Sequence, residues 1–150
     1  MKKLLYTFFA ISIILTACKK EEGCTDSIAT NYNAEAEEDD GSCKYSILGY
    51  WITNTIHLES ETGSNTLSAE EIGFFEELEF ITGGILYEHN SGSISTNEWA
   101  IVGDSLYIGE DGEHFRSKYE VTNTNLTLRG PIDDDNMWGA DIMTINATRN

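Results

Sequence analysis

The sequence predicts an all-β protein. An antiparallel up-and-down meander of about eight strands closes into a small barrel, and a disulfide-closed module precedes it. Three observations predict this. Short apolar runs rich in aromatic and β-branched residues recur from Ile47 onward, separated by Gly, Asn and Asp. Two cysteines, Cys24 and Cys43, bracket a segment almost without aliphatic residues. Ahead of both stands an export-type start, which places the cysteines in a disulfide-permissive compartment.

Residues 1–17 read as a signal peptide: Lys2 and Lys3, then an apolar run from Leu4 to Ala17 ending in small residues. The run falls short of the roughly 20 apolar residues that a spanning helix needs. Leu15-Thr16-Ala17-Cys18 resembles the bacterial lipobox, which implies cleavage before Cys18 and lipid on that cysteine. Several acyl chains on one cysteine anchor a protein firmly to a bilayer. Residues 18–22 form the tether, and Lys19-Lys20-Glu21-Glu22 resembles the surface-export signal of Bacteroidetes lipoproteins. The expected location is the outer membrane, facing outward, with the periplasmic leaflet as the alternative.

Residues 23–45 form the cysteine-bounded module. It lacks the apolar residues for a core of its own, so a covalent staple must hold it. Closing the Cys24–Cys43 loop stabilises it by about 3 kcal/mol. The segment resembles a repeat of secreted Bacteroidetes proteins, Cys-Thr-Asp-x-x-Ala-x-Asn-Tyr, running on to Asp-Asp-Gly-Ser-Cys. Here it occurs once. Oxygens of Asp26, Asn31, Asn33, Asp39 and Asp40 lie within one short loop, and a hard cation such as Ca²⁺ takes six to eight oxygens. Calcium is therefore one expectation; solvated turn residues that help close the loop are the other.

Residues 46–150 carry the barrel. Its strands are expected around Leu48–Leu58, Leu78–Ile81, Ile85–Tyr87, Trp99–Val102, Leu106–Ile108, Tyr119–Val121, Leu126–Leu128 and Ala140–Ala147. Gly83-Gly84 and Gly103-Asp104 supply the positive φ of tight hairpins. Closure into a barrel removes the sheet edges. Ser68-Ala69-Glu70-Glu71 has the form of a capping box and predicts a single helical turn over 68–74. Glu59 to Asn65 is polar and reads as a loop.

Gly49-Tyr50-Trp51 matches the Gly-x-Trp of lipocalins, in which the Trp packs across the closed end of the barrel. The later pieces, among them Trp99-x-Ile101-x-Gly103-Asp104 and Asn125-Leu126-x-Leu128, look like the short lipocalin-like domain of Bacteroidetes lipoproteins. This resemblance implies a binding protein for a small apolar or amphipathic ligand. Trp51, Phe80, Trp99 and Trp138 read first as core. Trp51, Phe80, Trp99 and Tyr119 become pocket walls if a cavity remains, and Thr53 and Thr55 share the Trp51 face in an unbroken strand. The alternative is a packed barrel that offers its surface to a protein or glycan.

The residues advertise no catalysis. His57, His89 and His114 lack metal-ligand spacing, no Cys is left in the barrel, and no Gly-x-Ser-x-Gly elbow occurs. Asp133-Asp134-Asp135-Asn136 is a candidate cation site at a barrel rim. Asp26-Ser27-Ile28 and Asp104-Ser105-Leu106 look like the short Bacteroidetes O-glycosylation signal. From Tyr45 onward the chain has 18 acidic and 4 basic residues, a net charge of −14. Such acidity excludes nucleic acid, whose phosphates need a basic face.

Overall fold

The computed structural model of the chain describes residues 20–109, 115–132 and 139–150. The signal peptide, Cys18, His114, Trp138 and the acidic cluster at 133–136 lie outside these residues. Two compact units divide between Lys44 and Tyr45.

In the N-terminal unit, β1 (Glu22–Gly23) pairs in parallel with β2 (Glu38–Asp39). Cys24 and Cys43 are joined by a disulfide. The rest is turns held by side-chain oxygens. Asp26, Asn33, Asp39 and Asp40 each accept from the backbone N–H two residues on, the Asx turn that lets these residues replace regular structure.

The second unit contains β3 (Gly49–Ser60), β4 (Gly63–Leu67), α1 (Ala69–Ile72), β5 (Glu77–Ile81), β6 (Ile85–Asn90), β7 (Ser93–Val102), β8 (Ser105–Ile108), β9 (Phe115–Val121), β10 (Asn125–Pro131) and β11 (Ile142–Arg149). From β5 to β11 each strand pairs antiparallel with the next. β11 then returns to β3, and β3 meets β5, which closes an eight-stranded barrel. One edge of β3 is divided between two partners. Gly49–Ile52 pair with β5, and Ile56–Ser60 pair with β4, the ninth strand.

Two expectations about element bounds need correcting. The stretch from Glu59 to Asn65 is not a loop: β3 runs to Ser60 and turns directly into β4. Its polar residues are satisfied by ladder pairing and solvent, so it needs no apolar alternation. β7 begins at Ser93, six residues before the apolar signal at Trp99. The predicted helical turn is present as α1. Ser68 caps it, its Oγ accepting from the Glu71 N–H while the Glu71 carboxylate accepts from the Ser68 N–H.

Alternation along each strand sends one set of side chains inward. Trp51, Ile56, Leu78, Phe80, Leu86, Leu106, Leu126, Leu128 and Ile145 are all nearly or fully buried. At one end the connections are short: residues 82–84, 103–104 and 122–124. At the other end lie the tight β3–β4 and β6–β7 turns, α1, and the longer links after β8 and β10. A bulge interrupts β3. Asn146 pairs with Thr55 but Ala147 pairs with Thr53, leaving Asn54 as the extra residue. A bulge reverses the phase of alternation. Thr53 therefore points inward, while Thr55 lies on the outer face, where its Oγ1 accepts from Asn146 Nδ2 at 3.3 Å. The expectation that Thr55 shares the Trp51 face is corrected accordingly.

Candidate functional site in the barrel interior

The end with short connections is sealed. Trp51 is fully buried, and its indole N–H donates to the Ile47 carbonyl at 2.8 Å. The Arg149 guanidinium lies 4.2 Å from the centre of the Trp51 ring, a cation–π contact. Its N–H groups also donate to the carbonyls of Leu48, Ser46 and Asn123 at 2.8–3.0 Å. Gly49, at φ +129°, makes this approach possible, since a Cβ there would sit 2.8 Å from Arg149 Nη1. Beside it, Trp99 donates its indole N–H to the carbonyls of Ile81 and Ile85 and meets Phe80 edge-to-face at 5.5 Å. Trp51, Phe80 and Trp99 thus form the floor of the barrel rather than the sides of a cavity. Tyr119, half-buried, faces inward opposite Leu128.

The half toward the longer connections differs in chemistry. The two-residue turn Ser91-Gly92, with φ of 39° and 91°, joins β6 to β7 and fixes their register. That register sets Glu88 opposite Ser95 and Leu86 opposite Asn97. Leu86 and Leu78 are core residues, so Glu88, which is two residues from the first and paired with the second, faces the interior. It is 4% exposed. Its Oε2 accepts from Ser95 Oγ at 3.0 Å and from Asn97 Nδ2 at 2.6 Å. Among the described residues nothing donates to Oε1. Ser95 is exposed and Asn97 half-buried although both face inward, so solvent reaches the interior beside Glu88. Two further inward hydroxyls, Thr53 Oγ1 and Ser117 Oγ, are buried without a hydrogen-bond partner. Burial pushes the Glu88 carboxyl up from the ordinary carboxylate value, and the two donors pull it part of the way back.

The groups facing Glu88 carry no charge: Leu78 from β5, Leu86 from β6, Ser95 and Asn97 from β7. On the described inner face the other titratable side chains are Tyr119 and, at the sealed end, Arg149. A raised carboxyl fixes the sign of its effect on stability. Below the ordinary Glu value both folded and unfolded chains hold the proton and nothing is lost. As pH rises through that value the unfolded chain ionises first, so stability falls until the folded group has ionised too. Glu88→Gln should abolish this slope. The excess stability of Glu88→Gln over wild type, from urea midpoints, should widen as pH rises from the ordinary glutamate value toward the raised folded one. A gap that is constant or narrows would refute it. Glu59, held down by Arg129, and Asp104, held down by Lys118, act with opposite sign but cancel in the difference.

A shallow cleft of about 370 Å³ adjoins the same end, between the β3–β4 hairpin and Ala140. Its lining, Leu58, Ser60, Asn65 and Leu67 among others, has no titratable group. On the outer face Tyr50 donates to Glu77 and its ring packs against His89 at 5.4 Å, and the Tyr50 hydroxyl is pushed up to about 12. In the N-terminal unit the five candidate calcium ligands are occupied locally. Asn31 accepts from the Lys44 N–H and donates to the Ser42 carbonyl, and the other four hold their Asx turns. Among the described residues no three His, Cys, Asp or Glu side chains are grouped to hold a metal ion.

Sequence reasoning missed Glu88, Ser95, Asn97, Ser117 and Arg149. One signal was present. Leu86-x-Glu88 and Ser95-x-Asn97 stand at matching distances on either side of Ser91-Gly92, so an inward Leu86 carries an inward carboxylate with it. No family model matches the chain, and no curated protein or solved structure is significantly similar to it.

Proposed function

We propose that the protein is an exported, lipid-anchored binding protein whose closed β-barrel takes a small amphipathic ligand through its open half. One observation carries the reading: Glu88 sits on the inner face in a hydrogen-bonded frame that solvent can reach, above a floor sealed by Trp51, Trp99 and Arg149. A floor of buried side chains thus lies below a partly polar half that solvent reaches. A few placed polar groups among apolar walls are what small-molecule sites use for orientation. The anchor rests on Leu15-Thr16-Ala17-Cys18 and the outward location on the charged tether, both from sequence. The barrel and the lipocalin-like resemblance support the binding role together.

Native mass spectrometry of the full chain, purified from membranes of an expressing bacterium, tests both parts. The chain should begin at Cys18 with acyl mass attached, and a further noncovalent mass should leave on denaturation. Loss of the acyl mass in Cys18→Ser would support the anchor. An empty barrel, with no mass released and none taken up from a membrane lipid extract, would overturn the binding role and favour a packed surface-interaction module.

A further inference from the structure

We propose that the ligand of this barrel is a small organic cation, an ammonium group on an apolar body, seated with the ammonium against Oε1 of Glu88. The inference rests on the binding role above and names its chemical class.

A buried carboxylate is stable only when paired or well hydrogen-bonded. Glu88 has two donors, both on Oε2. Among the described residues of the barrel domain no basic side chain reaches Oε1, because the four Lys and Arg residues are engaged elsewhere. Arg116 lies over the Tyr107 ring, Lys118 pairs with Asp104, and Arg129 holds Glu59 and Thr144. Arg149 is committed to Trp51 and three carbonyls at the sealed end. Among the described residues, the inner face thus presents a solvent-reachable acceptor that lacks a counter-charge.

The rest of the inner face agrees. Thr53 Oγ1 and Ser117 Oγ are buried and have no partner among the described residues, and each has acceptor lone pairs. Apolar and aromatic side chains make up most of the remainder, including Phe115 and Tyr119 of β9. An ammonium has three N–H donors and no acceptor, which complements such a surface. A carboxylate or phosphate ligand would confront Glu88 with like charge and find no cation. The net charge of −14 on the domain adds a field that draws cations toward it.

Calorimetry on the lipidated full chain in phosphatidylcholine nanodiscs, with empty discs as the blank, distinguishes the possibilities. The probes are 2-phenylethylamine, 2-phenylethanol and phenylacetate, similar in size and differing in head-group charge. The amine should bind at least about tenfold tighter than the alcohol, with phenylacetate weakest. Glu88→Gln keeps an oxygen for Ser95 and Asn97 to donate to, and should bring the amine level with the alcohol. Glu88→Asp, which keeps the charge, should retain the preference. Glu120→Gln removes one exposed charge from the outer face and should leave the preference intact. Equal binding of amine and alcohol by wild type, or an equal effect of Glu120→Gln, overturns the cation assignment and leaves the binding role standing. No heat with any probe overturns both.

Discussion

Replacing Trp51 by Ala should cost about 3–5 kcal/mol, the range for deleting a large buried aromatic side chain. The indole is fully buried, so its removal leaves a cavity at the sealed end of the barrel. Three further losses accompany it. The Ile47 carbonyl loses its donor, the Arg149 guanidinium loses the ring beneath it, and the paired Leu78 loses a neighbour. Domains of this size have a total stability of roughly 5–15 kcal/mol, so the variant should stand close to unfolding. Urea denaturation would show it as a large fall in midpoint with little change in slope. A loss below about 1 kcal/mol would mean that the floor repacks around the gap and that Trp51 is not its keystone.

Removing the disulfide by Cys24→Ser with Cys43→Ser should unfold the N-terminal module. Loop closure is worth about 3 kcal/mol for a ring of this length, and little else opposes the chain's entropy. Among the described residues of the unit only Cys24 and Ala29 are buried apolar groups. The backbone N–H bonds that the side chains of Asp26, Asn31, Asn33, Asp39 and Asp40 accept are exposed to competing water. Hydrogen exchange over residues 24–43 should pass from measurable protection to none, and protease should cut within the segment. Persisting protection in the double variant would show that the acidic turns hold the module by themselves. Repeating the measurement with millimolar Ca²⁺ tests the cation expectation for the same five side chains.

How far the sequence disclosed this structure depended on what each strand had to bury. The Gly83-Gly84 and Gly103-Asp104 turns, the Ser68–Glu71 capping box and the Trp51 floor were all legible, because each requires particular residues at fixed spacing. β7 was legible only from Trp99. Its earlier inward positions are Ser95 and Asn97, so the apolar alternation that marks a half-buried strand is missing where the interior turns polar. The site was hidden for that same reason: a carboxylate inside a barrel reads as an outward residue until its phase is counted from Leu86. Thr55 was misplaced because a bulge leaves no signature in composition. One extra residue at Asn54 exchanges the two faces of β3, and only the pairing with Asn146 and Ala147 reveals it. Arg149 was overlooked as one basic residue among many acids, although its carbonyl partners make it a structural cation.

The Arg149 contacts also have a consequence for how the barrel comes into being. Arg149 donates to carbonyls 101 and 103 residues earlier in the chain, and β11 zips along nearly the whole of β3. Pairings between such distant segments form late and slowly, since the loop must close before any contact rewards it. A polypeptide emerging N-terminus first displays β3 long before β11 exists to cover it. Until then β3 carries a bare edge with Trp51 on its face, a state open to mispairing and to capture by chaperones. Closure of the barrel therefore waits for its final strand, β11.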